Sequence, residues 1–315
     1  MHTVRGPRAI ARWPFKLAAL GICATLGLAL ASAPALAKTS SKKPKAAKIN
    51  PRTPVTPGSG YLALGDSVPF GYQEAQVVPA PNYPDASSFL GYPEQLGAEL
   101  HLTVANAACP GETSSSLVDD SALSFACLVT PQGRTGYRTL YPLHVHYSGS
   151  QLAFAVAYLK KHHNVRLVSL MIGANDFFLC QATTADHCAS FTEQAAVGAT
   201  MSKNVKTILS TIRNKAHYAG QIVIVNYYST NYASQATAAQ SVLLNSIVDT
   251  AAKSFHVEIA DGFGVLETAA AHSGGGNTCT AGLLTQLSTG GCGVHPSYAG
   301  QALLAQAVEK AIRLM

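Results

Sequence analysis

Apolar positions along this chain fall into two alternating kinds of run. The first kind is short, and several of its runs are apolar on both faces: "YLAL" (61–64), "LTVANAA" (102–108), "RLVSLMIG" (166–173), "QIVIVNYY" (221–228) and "HVEIADG" (256–262). The second kind carries a helical period and fills 92–100, 149–162, 193–215, 236–254 and 299–314. Strands without a polar face belong in a parallel sheet covered by helices on both sides. The alternation therefore predicts an α/β layered fold with a central parallel sheet of about five strands. In open sheets of this kind, functional groups collect beyond the carboxyl ends of the strands. Three segments reach that edge: Gly65-Asp66-Ser67 after the first strand, Cys109-Pro110-Gly111 after the second, and Gly173-Ala174-Asn175-Asp176 after the third.

The N-terminal 58 residues do not fit this pattern. Arg5, Arg8, Arg12 and Lys16 precede an apolar run, and Ala35-Leu36-Ala37 closes it. Charged region, apolar region and A-x-A site describe a secretory signal peptide cut near Ala37. The most apolar part is shorter than the roughly 20 residues a membrane span needs. Residues 38–58 are rich in Lys, Pro, Ser and Thr without apolar periodicity, which reads as a flexible basic tether. A weak contact with an anionic envelope is the most it offers. One domain is expected over 59–315, without internal repeats.

Separating the ends changes the charge picture. The whole chain is +6, yet ten of its 22 basic residues and none of its 16 acidic ones lie in the first 58 positions. The domain that remains holds 12 basic against 16 acidic side chains, so nothing in it recommends nucleic acid as a partner. Six of the seven cysteines fall in that domain as three local pairs. In an exported chain they predict the disulfides Cys109–Cys127, Cys180–Cys188 and Cys279–Cys292. Their spacings are not those of a zinc site, and no metal or cofactor is expected.

Ser67 needs a base and an oxyanion cradle before its hydroxyl can attack an ester. His295, in "GGCGVHPSYAGQ", is a candidate base, because Pro296 and a following helix fix its loop. Candidate oxyanion donors are the Ser67 N–H at a predicted helix start, the Gly111 N–H and the Asn175 amide.

These residues carry a family resemblance. "GDS" at 65–67, "CPGET" around Gly111, "GAND" at 173–176 and "HP" at 295–296 stand in the order found in the SGNH, or GDSL, hydrolases. The resemblance covers the chain from about residue 60 onward and looks closest to secreted, disulfide-containing esterases and lipases. It implies a flavodoxin-like three-layer α/β/α sandwich with Ser67 as nucleophile and His295 as base. It also implies Ser67, Gly111 and Asn175 as the oxyanion hole. The expected activity is hydrolysis of a small-molecule or lipid carboxylic ester by a monomeric enzyme. The alternatives are a deacetylase of polysaccharide or peptidoglycan and a non-catalytic envelope-binding protein.

One departure matters. The family usually places an aspartate three residues before the histidine, and here that residue is Cys292. Two acceptors for the histidine's Nδ1–H compete: a backbone carbonyl at Cys292, and the carboxylate of Asp261. The carbonyl is favoured, because the Cys279–Cys292 bond would hold that backbone still. A neutral acceptor selects the tautomer but stabilises imidazolium less than a carboxylate does.

Other chemistry-bearing residues have plainer readings. Asp66 and Asp176 read as loop supports, and His144 and His146 lack a third metal ligand. "HSGGGN" (272–277) reads as a mobile loop, since the G-x-S-x-G of the fold it evokes is missing. Phe70, Tyr72 and Tyr83 fit an acyl pocket and ordinary loop packing equally well.

Overall fold

The computed structural model describes residues 53–315. The signal peptide expected over 1–37 and residues 38–52 of the expected tether lie outside the described residues. Residues 53–58, assigned to the tether by composition, belong to the fold. Val55 is buried, and its N–H bonds the Arg313 carbonyl at 2.9 Å.

The first half of the chain runs β1 (Gly60–Gly65), α1 (Ser67–Phe70), α2 (Tyr92–Glu99), β2 (Thr103–Asn106), α3 (Ser114–Val118), α4 (Tyr137–Leu140) and α5 (Gln151–Lys161). It continues through β3 (Val165–Met171), α6 (Ala174–Thr183), α7 (Phe191–Asn214), β4 (Gln221–Val225), α8 (Gln235–Ala252) and β5 (Glu258–Ala260). The last part is α9 (Gly262–Gly274), a hairpin of β6 (Leu284–Gln286) and β7 (Cys292–Pro296), and α10 (Tyr298–Ala311). All five predicted strands form. The hairpin, α9, α6 and the short α3 and α4 lie outside the expected elements; His272–Gly274, expected in a mobile loop, are the last turn of α9.

The five strands form one parallel sheet in the order β2-β1-β3-β4-β5. This is the flavodoxin-like order, and it reverses direction between β1 and β3. Helices α2 and α10 pack against each other on one face, with α9 beside α10. On the other, α7 packs against α3, α5 and α8. The sheet is thus the middle layer of an α/β/α sandwich, which is why β1 and β4 are buried at every position.

One polar cluster interrupts the apolar centre. Ser169 on β3 meets the Tyr61 hydroxyl at 2.7 Å and the Tyr92 hydroxyl at 3.3 Å, joining β1, β3 and α2. Among the described residues no helix is long and apolar enough to cross a membrane. The three disulfides are Cys109–Cys127, Cys180–Cys188 and Cys279–Cys292. Ser169→Ala takes the shared partner from two buried hydroxyls, so urea denaturation is expected to show a loss of about 1–3 kcal/mol.

Candidate active site

Ser67 opens α1 directly beyond the carboxyl end of β1. Asp66 caps that helix, its Oδ1 accepting the Val68 N–H at 3.0 Å. Strand β7, which ends at Pro296 just ahead of α10, delivers His295 to the same edge. The imidazole Nε2 stands 2.9 Å from Ser67 Oγ across 228 residues of sequence. Both side chains are half-buried.

The acceptor on the far side of the imidazole is neither of the two expected. Nδ1 lies 2.7 Å from Oε1 of Glu74, on the loop that follows α1. Cys292 instead pairs with Gln286 across the hairpin and spends its sulfur on Cys279. Asp261 is exposed and caps α9, accepting the Gly264 N–H at 2.8 Å. The physical reason is reach. A helix-capping carboxylate is already committed to its own helix, whereas the loop after α1 passes directly over β7. Nothing in the local sequence links residue 74 to residue 295. The available signal was a glutamate shortly after the serine, with a glycine two residues before the histidine.

The expected oxyanion donors gather on the same edge. Gly111 sits at φ +82°, a conformation that favours glycine, and a β-carbon there would collide with Ala126. Neither the Gly111 nor the Ser67 N–H has an acceptor among the described residues. Asn175 is buried at the start of α6, and its Nδ2 donates to Asp66 Oδ2 at 3.2 Å. Asp66 accepts from the Tyr227 hydroxyl as well. The carboxylate therefore fixes which way the Asn175 amide faces. Asp176 caps not its own helix but α3, accepting from Ser114 N at 2.8 Å and Ser114 Oγ at 2.5 Å. Asp66 and Asp176 thus tie the ends of β1, β2 and β3 together.

Aromatic rings border this edge. Phe70 and Phe89 are fully buried in a small satellite core, and the Tyr72 ring meets the His295 ring edge-on at 4.9 Å. Tyr83 joins the cluster through Tyr72 and Phe89. The rings therefore pack the loop and flank the histidine at once. His144 Nε2 lies 3.0 Å from the Phe70 carbonyl, and His146 is exposed. Two groups of ligand-type atoms lie close together among the described residues, Cys109/Glu112/Cys127 and Cys180/Cys188/Glu193. Each contains a disulfide, whose sulfurs are not the thiolates a metal requires.

A serine–histidine pair at the switch point of a five-stranded α/β/α sandwich is the layout of an ester hydrolase. Residues 63–303 match the model of the GDSL-like Lipase/Acylhydrolase family, and the chain belongs to that family of carboxylic ester hydrolases. A sequence comparison with curated proteins finds no match. Among solved structures, the chain resembles a putative GDSL-like lipase from Parabacteroides merdae at 15% identity and TM-score 0.50, covering 83% of this chain and 98% of that one. It also resembles an acetylxylan esterase from Geobacillus stearothermophilus (16% identity, TM-score 0.49, 82% and 96% covered). Phospholipase A1 from Streptomyces albidoflavus is a third (19% identity, TM-score 0.48, 81% and 99% covered). At these identities the likeness speaks to fold alone.

The buried carboxyls have an unusual balance. Burial pushes Asp66 and Asp176 up to about 6, against the hydrogen bonds each accepts. Burial likewise raises Glu94 and Glu112 to about 7. Glu74 goes the other way. Burial would raise it, but the hydrogen bond and charge of His295 and the Thr285 hydroxyl together lower it to about 2.

A raised carboxyl binds its proton more tightly folded than unfolded, so its contribution to stability is lost as pH rises through the folded pKa. The depressed Glu74 contributes above its unfolded pKa and loses that contribution as pH falls toward about 2. Four groups against one set the sign. The melting temperature is expected to be higher at pH 4.5–5 than at pH 8, declining mainly between about 4 and 7, as scanning calorimetry across that range would show.

Proposed function

We propose that this protein is an exported serine ester hydrolase working through an acyl-enzyme on Ser67. The contact between Ser67 Oγ and His295 Nε2 carries the reading. His295 takes the hydroxyl proton as Oγ attacks the ester carbonyl carbon, and the carbonyl electrons move onto oxygen. That oxyanion is received by the Ser67 and Gly111 N–H groups and the Asn175 amide. On collapse the C–O bond to the alcohol breaks, and His295 protonates the departing oxygen. Water then repeats the sequence against the acyl-serine, releasing the acid and restoring the hydroxyl. Export is supported by the signal-like N-terminus and by three disulfides, which persist in oxidising compartments. The substrate is a carboxylic ester of an acyl lipid or short-chain acid, bound by a monomer.

The test is hydrolysis of p-nitrophenyl esters from acetate to palmitate, alongside acetylated xylan and peptidoglycan. Ser67→Ala and His295→Ala are each expected to lower kcat by about 10⁴–10⁶. Asn175→Ala is expected to cost about 10²–10³. Wild-type protein that cleaves none of these esters would leave a binding protein in place of an enzyme.

A further inference from the structure

We propose that Glu74, carried on the nucleophile's own loop, supplies the carboxylate that orients His295 and stabilises its charged form, and that Thr285 and Gly293 exist to seat it. This rests on the hydrolase reading above and concerns the same site. The position three residues before the histidine holds a disulfide-bonded cysteine, so the acid has to come from elsewhere.

Four donors converge on the Glu74 carboxylate. Oε1 accepts from the imidazole Nδ1 at 2.7 Å, the Val294 N–H at 2.8 Å and the His295 N–H at 3.3 Å. Oε2 accepts from the Thr285 hydroxyl at 2.5 Å. One oxygen therefore fixes both the histidine's backbone and its ring. Thr285 lies on β6 and His295 on β7, so the carboxylate bridges both strands of the hairpin. The loop is stitched to that hairpin beyond the acid as well, by the Val77–Leu287 bridge and by Ser288 N–H on the Gln76 carbonyl at 2.8 Å.

Gly293 is the local fingerprint of this arrangement. Its φ lies outside the left-handed region, so its backbone does not demand glycine. A β-carbon at 293 would instead fall onto the Glu74 carboxylate. The glycine is there for clearance.

A carboxylate only accepts, so Nδ1 must carry the proton and Nε2 is left free to receive one from Ser67. When that transfer makes an imidazolium, Glu74 faces it as the one carboxylate in contact. The other ionisable groups around the ring make no bond to it, and Asp66 meets its charge only through space. Asp66 spends its oxygens on Val68, Tyr227 and Asn175, and burial keeps Tyr72 and Tyr228 protonated. The Tyr228 hydroxyl donates to the Val294 carbonyl at 2.6 Å. Among the described residues, His295–Glu74 is the only basic–acidic side-chain contact within ion-pair distance, and it becomes an ion pair when the ring takes up a second proton.

The competing role is a structural clasp that merely holds the hairpin, and kinetics separate the two. Glu74→Gln keeps a carbonyl for the backbone donors but loses the charge. It is expected to lower kcat by about 10²–10⁴ with KM within a few-fold. The acidic limb of its kcat/KM profile should move to lower pH, because an imidazolium without its anion loses its proton more readily. Glu74→Asp should restore part of the rate. Gly293→Ala should cost about as much as Glu74→Ala in the wild-type background, yet less than about three-fold more when added to Glu74→Ala, where nothing remains to collide with.

Wild-type kcat and an unmoved limb in Glu74→Gln would overturn the proposal. So would a full additional loss from Gly293→Ala on top of Glu74→Ala. Activity that survives Ser67→Ala would instead sink the hydrolase reading, so the two failures are distinguishable.

Discussion

The site is held together by one chain of hydrogen-bonding contacts, from Ser67 through His295 to Glu74. Its members come from the start of α1, the last strand of the hairpin and the loop after α1. None is fixed by its own element alone. The carboxylate is lowered to about 2 despite its burial, which means that the bonds it accepts outweigh the cost of removing it from water. A pair that is desolvated yet fully bonded is costly to break on one side only, because the remaining charge is left without a partner. That constraint couples the hairpin to the loop after Ser67, and the disulfide to Cys279 pins the other end of β7.

The sheet supplies the rest of the geometry. Strand order reverses between β1 and β3, so their carboxyl ends open a crevice, with β2 on the outer side of β1. Ser67, Gly111 and Asn175 follow these three strands. Buried carboxyls then act as cross-ties: Asp66 joins the Ser67 turn to Asn175, and Asp176 joins α6 to the segment after Gly111. Each is an acidic group in an apolar place, tolerated because donors from neighbouring strand ends converge on it. The balance of stability with pH follows from that choice of cross-tie.

How far the sequence can be read depends on whether a residue answers to its neighbours in the chain or to the fold. The three central strands β1, β3 and β4 were legible because burial on both faces leaves a nearly continuous apolar run. Helix starts at Ser67 and after Pro296 were legible because capping is local, and the cysteine pairs because each closes a short loop. Helix α9 and the hairpin are not legible: glycines interrupt both stretches and blur their periodicity. The start of the fold at 53–58 is hidden in the sequence for a related reason. Val55 sits among polar and proline residues, and only its packing beside Arg313 reveals it as core.

The histidine's partner divides the two kinds of information most sharply. By itself the sequence determined the parallel sandwich, the serine at a strand end, the glycine and asparagine beside it, and a histidine ahead of the last helix. Each of these is a demand that a few consecutive residues place on the backbone. Tertiary structure alone decided between Cys292, Asp261 and Glu74. An unperiodic loop gives no sign of what it will cross, and a carboxylate's role depends on which donors the folded chain brings within 3 Å of it. Asp261 had the right chemistry and was already bonded to its own helix; Glu74 had the right chemistry and lay over the strand that carries the imidazole.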